Sequence, residues 1–266
     1  MQAQFRPSVI YYGGKHVTQG INKSIHYLSL AADQNHPRAQ SKLGVIYYEG
    51  KYITREINKS IHYLSLAANH NYPDSQSNLG FIYYEGKYVT RDINRAIHYL
   101  SLAANQNHPE AQFNLGLIYY ESKYVTNDIN KEIHYFSLAT YQNHPQSQFC
   151  LGLIYCKNKI NKESIKNSRY YIMLASKNNF RLANFSHGFL LHEGKYGEGN
   201  IEEAIHYYKE ASSFNIQYAK NNLGVIYRHG YDKVAKRMTA WQCTTWLIFT
   251  YTMTQSSKIS TNQLIC

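Results

Sequence analysis

Several common signals are missing from this chain, and each absence excludes something. No apolar run approaches the roughly 20 residues that a membrane-spanning helix needs; the nearest candidate, around Trp246-Leu247-Ile248-Phe249, is far shorter. The N-terminal residues Met1-Gln2-Ala3-Gln4-Phe5-Arg6-Pro7-Ser8 are polar and lack the apolar core of a signal peptide. Cysteine occurs four times, as Cys150, Cys156, Cys243 and Cys266, with no CxxC and no regular spacing. That argues against a disulfide framework and against a cysteine-rich zinc site, and it fits a reducing compartment. A cytoplasmic protein is therefore expected. Acidic residues are outnumbered 17 to 28 by lysine and arginine, leaving a net charge of +11. Proline is scarce too, yet four of the five prolines, Pro37, Pro73, Pro109 and Pro145, stand at one constant interval.

That interval is 36 residues, and it organises the whole chain. Leu-Gly-x-Ile-Tyr or a relic of it recurs with its glycine at Gly44, Gly80, Gly116, Gly152, Gly188 and Gly224. A fixed period of 20 to 50 residues is the mark of stacked repeats, in which each unit packs only on its neighbours. The copies at 39–74, 75–110 and 111–146 match at most positions. The outer copies decay: Pro7 and Ser8 replace the Leu-Gly pair in the first, where a proline predicts a broken or late-starting helix. The reading is a repeat array over 1–230 and a non-repeat tail over 231–266, with a partly helical cap expected from 235 to 252.

Each unit reads as two helices, because apolar residues recur at steps of three and four. Ala39, Leu43, Ile46 and Gly50 mark the first helix of one copy, and Ile57, Ile61, Leu64 and Ala68 the second. The prolines suit the first helical position, where no N–H is needed. Gly50, Gly86, Gly194 and their equivalents should stop the first helix. Small residues, Gly44 on one helix and Ala67-Ala68 on the other, let the two backbones approach.

The combination Leu43-Gly44-x-x-Tyr47-x-x-Gly50, a short loop, and a second helix closing on Ala67-Ala68 resembles the Sel-1-like repeat, a relative of the tetratricopeptide repeat. The resemblance covers about residues 3 to 230. It departs at two places: the usual alanine early in the second helix is Ser24, Ser60 or Glu132, and the glycine after the double alanine is replaced by Asn-His-Pro or Asn-Tyr-Pro. What it implies is an all-α fold, a right-handed α-solenoid of helix-turn-helix repeats, and a scaffold or adaptor that assembles other proteins.

Candidates for chemistry are weak by comparison. His26, His62, His98, His134 and His206 stand one repeat apart, a ladder whose rungs are about 10 Å or more apart. Nitrogens sharing one zinc must each lie about 2 Å from it. No metal, cofactor or catalytic set is expected. His36, His108 and His144 precede the prolines and read as helix caps. Cys150 and Cys156 fill slots held elsewhere by Asn114 and Tyr120, as a drifting repeat would produce. Glu49-Gly50-Lys51 and Glu85-Gly86-Lys87 lack the glycines of a phosphate loop.

Alignment on the related tetratricopeptide pattern implies a concave groove lined by Val45, Tyr48, Phe81, Tyr84, Phe113, Leu117, Tyr120, Phe149 and Leu153. Such an aromatic groove would take a peptide or an amphipathic helix. Tyr47, Tyr83, Tyr119 and Tyr155 fall in the packing slot instead. Lys51, Arg55, Lys87, Arg91 and Lys123 form a basic edge, diluted by Glu56, Asp92 and Asp128. The expected function is a monomeric, non-enzymatic scaffold with a protein or peptide partner. The alternatives are an acidic partner or nucleic acid on the basic edge, an endoplasmic-reticulum quality-control adaptor, and last a β-lactam-binding or hydrolysing enzyme.

Overall fold

A computed structural model describes residues 17–51, 53–121, 128–157, 162–194 and 199–229. The chain divides into two compact units, one running to Asn127 and one beginning at Asp128. In the first, the described helices are α1 (Val17–Asp33), α2 (Pro37–Glu49), α3 (Ile57–Asn69), α4 (Pro73–Glu85), α5 (Ile93–Ala104) and α6 (Pro109–Glu121). In the second they are α7 (Ile129–Tyr141), α8 (Pro145–Lys157), α9 (Lys162–Lys177), α10 (Arg181–Glu193), α11 (Ile201–Ser213) and α12 (Gln217–His229). Among the described residues there is no strand. The broken first helix around Pro7, the basic Lys123 and the tail cap lie outside the described residues.

Each first helix begins with proline at its first turn where the sequence has one, and α2 and α4 stop on Gly50 and Gly86 at φ 59° and 62°. Those glycines hold a left-handed conformation that L side chains avoid. Three second helices open on a side-chain cap, whereas Glu56 makes none before α3: Asp92 accepts from the Arg95 N–H at 3.0 Å, Asp128 from the Asn130 and Lys131 N–H groups, and Asn200 from the Glu203 N–H.

The turn from second to first helix follows one plan throughout. Asn35, Asn71, Asn107, Asn143, Asn179 and Asn215 all sit at φ between 57° and 61°. In the clearest case the Asn71 N–H bonds the Ala68 carbonyl at 2.9 Å and the Tyr72 N–H reaches back to the Ala67 carbonyl at 3.2 Å. This double closure satisfies carbonyls that the helix end leaves open. Asparagine, the non-glycine residue that best tolerates this conformation, thus stands where the resembled family has glycine.

Within a repeat the two helices meet at the glycine of the Leu-Gly pair. A Cβ added at Gly44 would lie 2.5 Å from Leu64 Cγ, at Gly80 2.5 Å from Leu100 Cγ, and at Gly152 2.6 Å from Ile172 Cγ1. Beside this contact the tyrosine of each first helix stacks on one of the second: Tyr47 on Tyr63, Tyr83 on Tyr99, and Tyr155 on Tyr171, with ring centroids 5.8 to 6.1 Å apart. Leu43, Leu64, Leu79, Leu100, Leu115 and Leu151 are fully buried. The core is therefore a string of equivalent clusters along each unit.

A candidate protein-binding scaffold

Between successive repeats of the first unit, buried polar residues do much of the joining. Gln40, Gln76 and Gln112 donate their side-chain amides to the carbonyls of Ala32, Ala68 and Ala104, at the end of the preceding second helix. His108 has both ring nitrogens engaged. Its Nδ1 accepts from the Ala111 N–H at 3.2 Å, capping α6, while Nε2 lies 3.3 Å from the Asp74 carboxylate on α4. That histidine hydrogen bond holds the Asp74 carboxyl below the usual range, and burial beside Asp74 pushes the Tyr72 phenol up to about 12. His36 and His144 cap α2 and α8 in the same way, as their place before the prolines predicts.

The residues expected to line an open groove are mostly inside. Val45, Tyr48, Phe81, Tyr84, Phe113, Leu117, Phe149 and Leu153 are between 0 and 8% exposed, and Tyr120 alone of the nine is half-buried. Val45 and Tyr48 belong to an apolar cluster with Leu64, Ala68, Leu79 and Ile82. Phe149 packs on Phe180 with ring centroids 5.2 Å apart. Helical spacing assigns a face to each residue but not how closely the next repeat covers it. Tyr48 shows the consequence. Its hydroxyl donates to the Glu85 carboxylate of the next repeat at 2.5 Å, and its ring meets the edge of Tyr88. Burial first, and then Glu85, raises the Tyr48 phenol well above its ordinary range.

The basic edge is also partly committed elsewhere. Arg55 gives Nε to the Tyr48 carbonyl at 2.7 Å and a terminal nitrogen to the Glu49 carbonyl at 2.8 Å, closing the C-terminus of α2, and its guanidinium lies over Tyr88. Arg91 reaches the Glu85 carbonyl in the same manner. Cations at a helix C-terminus complement its dipole. Lys51 and Lys87 are exposed, Lys87 lying 4.9 Å from the Tyr88 ring. Neighbouring Lys59, Arg95 and Lys131 pair with Glu56, Asp92 and Asp128.

The five laddered histidines are all exposed, each turned edge-on to the tyrosine that follows it. Among the described residues no three His, Cys, Asp or Glu side chains come together as metal ligands would. Cys150 and Cys156 form no disulfide among the described residues. No described helix is long and apolar enough to cross a membrane.

Two departures from the repeat pattern are buried ionisable residues in the second unit. Glu132 occupies the small-residue slot of Ser24, Ser60, Ala96, Ser168 and Ala204, and it is buried there. Burial pushes its carboxyl up to about 7, against the opposing pull of Lys157. His187 takes the slot of Leu43, Leu79, Leu115 and Leu151; burial, with Arg169 and Lys177 nearby, brings it down to about 4.

Helix pairs at a constant 36-residue interval, joined by one recurrent turn and packed glycine to helix, define the class: an α-solenoid of helix-turn-helix repeats. The Sel1 repeat family model matches residues 2–36, 37–72, 73–108, 109–144, 180–213 and 217–237. The chain belongs to the Sel1 repeat family. The stretch that the family model passes over still forms a helix pair, α8 with α9. The fold is similar to that of a Sel1 repeat protein from Oxalobacter formigenes, with a TM-score of 0.76 and 22% identity over 93% of this chain and 99% of that one. It is also similar to c5321, a protective antigen of uropathogenic Escherichia coli strains with an SLR fold, with a TM-score of 0.61 and 21% identity over 94% of this chain and 61% of that one. A search of the curated proteins found no match. Sel1 repeats generally mediate protein–protein interaction and are typically non-enzymatic.

Proposed function

We propose that this chain is a non-catalytic scaffold that holds a protein partner on the outer face of its second helices. The observation that supports it most is a repeated exposed pair. His26, His62 and His98 on α1, α3 and α5 are exposed, and four residues on, Leu30 and Leu102 stay more than a third exposed while Leu66 is half-buried. Residues four apart share a helix face, so each second helix of the first unit offers one imidazole and one leucine. Two residues before each, Leu28, Leu64 and Leu100 are buried. A row of apolar side chains at a constant interval fits the apolar stripe of a partner helix. The half-buried Tyr120 is what the expected groove retains as a contact. With Arg55 and Arg91 engaged on helix ends, a nucleic-acid role for the basic edge is the weaker reading.

Affinity capture with the full chain tests this. One stoichiometric protein should be recovered, and it should be lost in Leu30→Asp plus Leu102→Asp at unchanged helix content. Retention of the partner by that variant would move the site elsewhere; salt-sensitive recovery of RNA with no protein would overturn the scaffold.

A further inference from the structure

Parallel rows of side chains cross the outer face of the first unit's second helices. On α1 the outward residues run Lys23, His26, Leu30 and Asp33; α3 repeats the order as Lys59, His62, Leu66 and Asn69, and α5 as Arg95, His98, Leu102 and Asn105. Steps of three, four and three keep each set on one helix face. All but the half-buried Leu66 are exposed, and Leu30 and Leu102 are recessed, at 36 and 37%. A row of leucines thus runs beside a row of histidines and a row of cations.

The face is electrically lopsided. α3 and α5 contain no acidic residue of their own. Glu56 and Asp92 stand just before them, 2.8 Å from Lys59 and 3.3 Å from Arg95, in pairs whose side chains are all more than a third exposed. Exposed pairs of this kind contribute about 1 kcal/mol or less, so an incoming carboxylate can compete for the cation. Lys59 and Arg95 lie 5.3 and 5.4 Å from the ring centres of Tyr47 and Tyr83, which steadies them at the face. Lys51 and Lys87, also exposed, add to the excess. Even with Arg55 and Arg91 set aside as closures of helix ends, cations outnumber carboxylates at the start of α3 and of α5. The far ends of the three helices carry Asp33, Asn69 and Asn105 instead.

We propose that the element docked here is an acidic amphipathic helix lying across α1, α3 and α5, with its apolar stripe on the leucine row and its carboxylates toward Lys23, Lys59 and Arg95. This rests on the outer-face reading above and gives the partner its chemistry. The spacing supports it. Rungs of the row are on the order of 10 Å apart, and seven residues advance a helix by about 10.5 Å while returning to within about 20° of the same face. One large apolar residue per heptad therefore meets successive leucines, and about 15 residues cross all three. Recessed leucines receive projecting side chains better than they meet a flat lipid surface.

The test titrates the full chain with synthetic helical peptides about 18 residues long, each with leucine at every seventh position and differing only in the flanking residue: glutamate, glutamine or lysine. The glutamate peptide should bind on the order of tenfold tighter than the glutamine one, and the lysine peptide weakest. Lys59→Gln plus Arg95→Gln should remove most of that preference. Leu30→Asp plus Leu102→Asp should abolish binding of the glutamate peptide, with far-UV circular dichroism unchanged. A glutamate peptide that fails to bind, or binds no tighter than the glutamine one, overturns the acidic helix and leaves the outer-face reading to its capture experiment. Binding that survives the leucine pair overturns both. A dimer of the protein alone in sedimentation, broken by the leucine pair, would make the occupant a second copy and overturn the proposal. So would leucine-dependent capture on phosphatidylserine vesicles without peptide binding.

Discussion

Six asparagines in one left-handed conformation turn a side-chain choice into a constraint on every repeat. Asn107→Gly should leave Tm within a degree or two, whereas Asn107→Val should cost about 1–3 kcal/mol, measurable by urea unfolding, because a β-branched residue is strained there. Glu132 and His187 make opposite demands on pH. For Glu132 the folded pKa, about 7, lies above the unfolded value, so the folded state holds the extra proton between about pH 4.5 and 7. Stability is therefore lost as pH rises through that window. Glu132→Ser, which restores the repeat's small residue, should gain on the order of 2 kcal/mol at pH 8 and much less at pH 4.5, by thermal unfolding. For His187 the folded value, about 4, lies below that of the unfolded chain. Its stabilising neutral state is complete above about pH 6.5 and is lost as pH falls toward 4. The gain from His187→Leu should grow over that same fall. A variant series flat in pH would contradict the burial of both groups.

At the scale of the helix, much of the outcome was legible from spacing. Proline at the start of α2, α4, α6 and α8, glycine at the end of α2 and α4, and the histidine caps follow from local backbone chemistry, which a sequence carries directly. The fate of Tyr48 and Phe113 does not. Their helix face was evident, but their burial depends on how the neighbouring repeat packs. Arg55 is exposed, as a basic edge needs, but its bonding partners were not legible for a related reason. A cation six residues past a helix end looks like surface charge until the loop folds it back on the carbonyls of Tyr48 and Glu49. Arg55→Ala should therefore cost about 0.5–1.5 kcal/mol of stability and hardly alter any salt dependence of binding; a larger effect on binding than on Tm would restore the edge as a contact surface. The buried glutamines Gln40, Gln76 and Gln112 recur every 36 residues, but a polar side chain carries no sequence mark of its burial.

For the whole molecule the period itself is the design rule. In the first unit successive repeats share the same turn and glutamine bridge, so its stability should scale with repeat number. Removing residues 73–108 joins Tyr72 to Pro109 and preserves the register; that variant should fold, with a proportionally smaller urea m-value. Deleting six fewer residues should not yield a cooperatively folding chain, and equal behaviour of the two deletions would count against the register. The glutamine bridge has a direction as well. Gln76 completes the end of α3 from a position eight residues further along the chain, and Gln112 does the same for α5. As the chain leaves the ribosome, the Ala68 and Ala104 carbonyls can accept from the Asn71 and Asn107 N–H groups at once, and gain the glutamine bond only when the start of the next repeat has emerged. Synthesis should therefore lock the first unit one helix behind the exit tunnel, with every new repeat acting as the catch for the last.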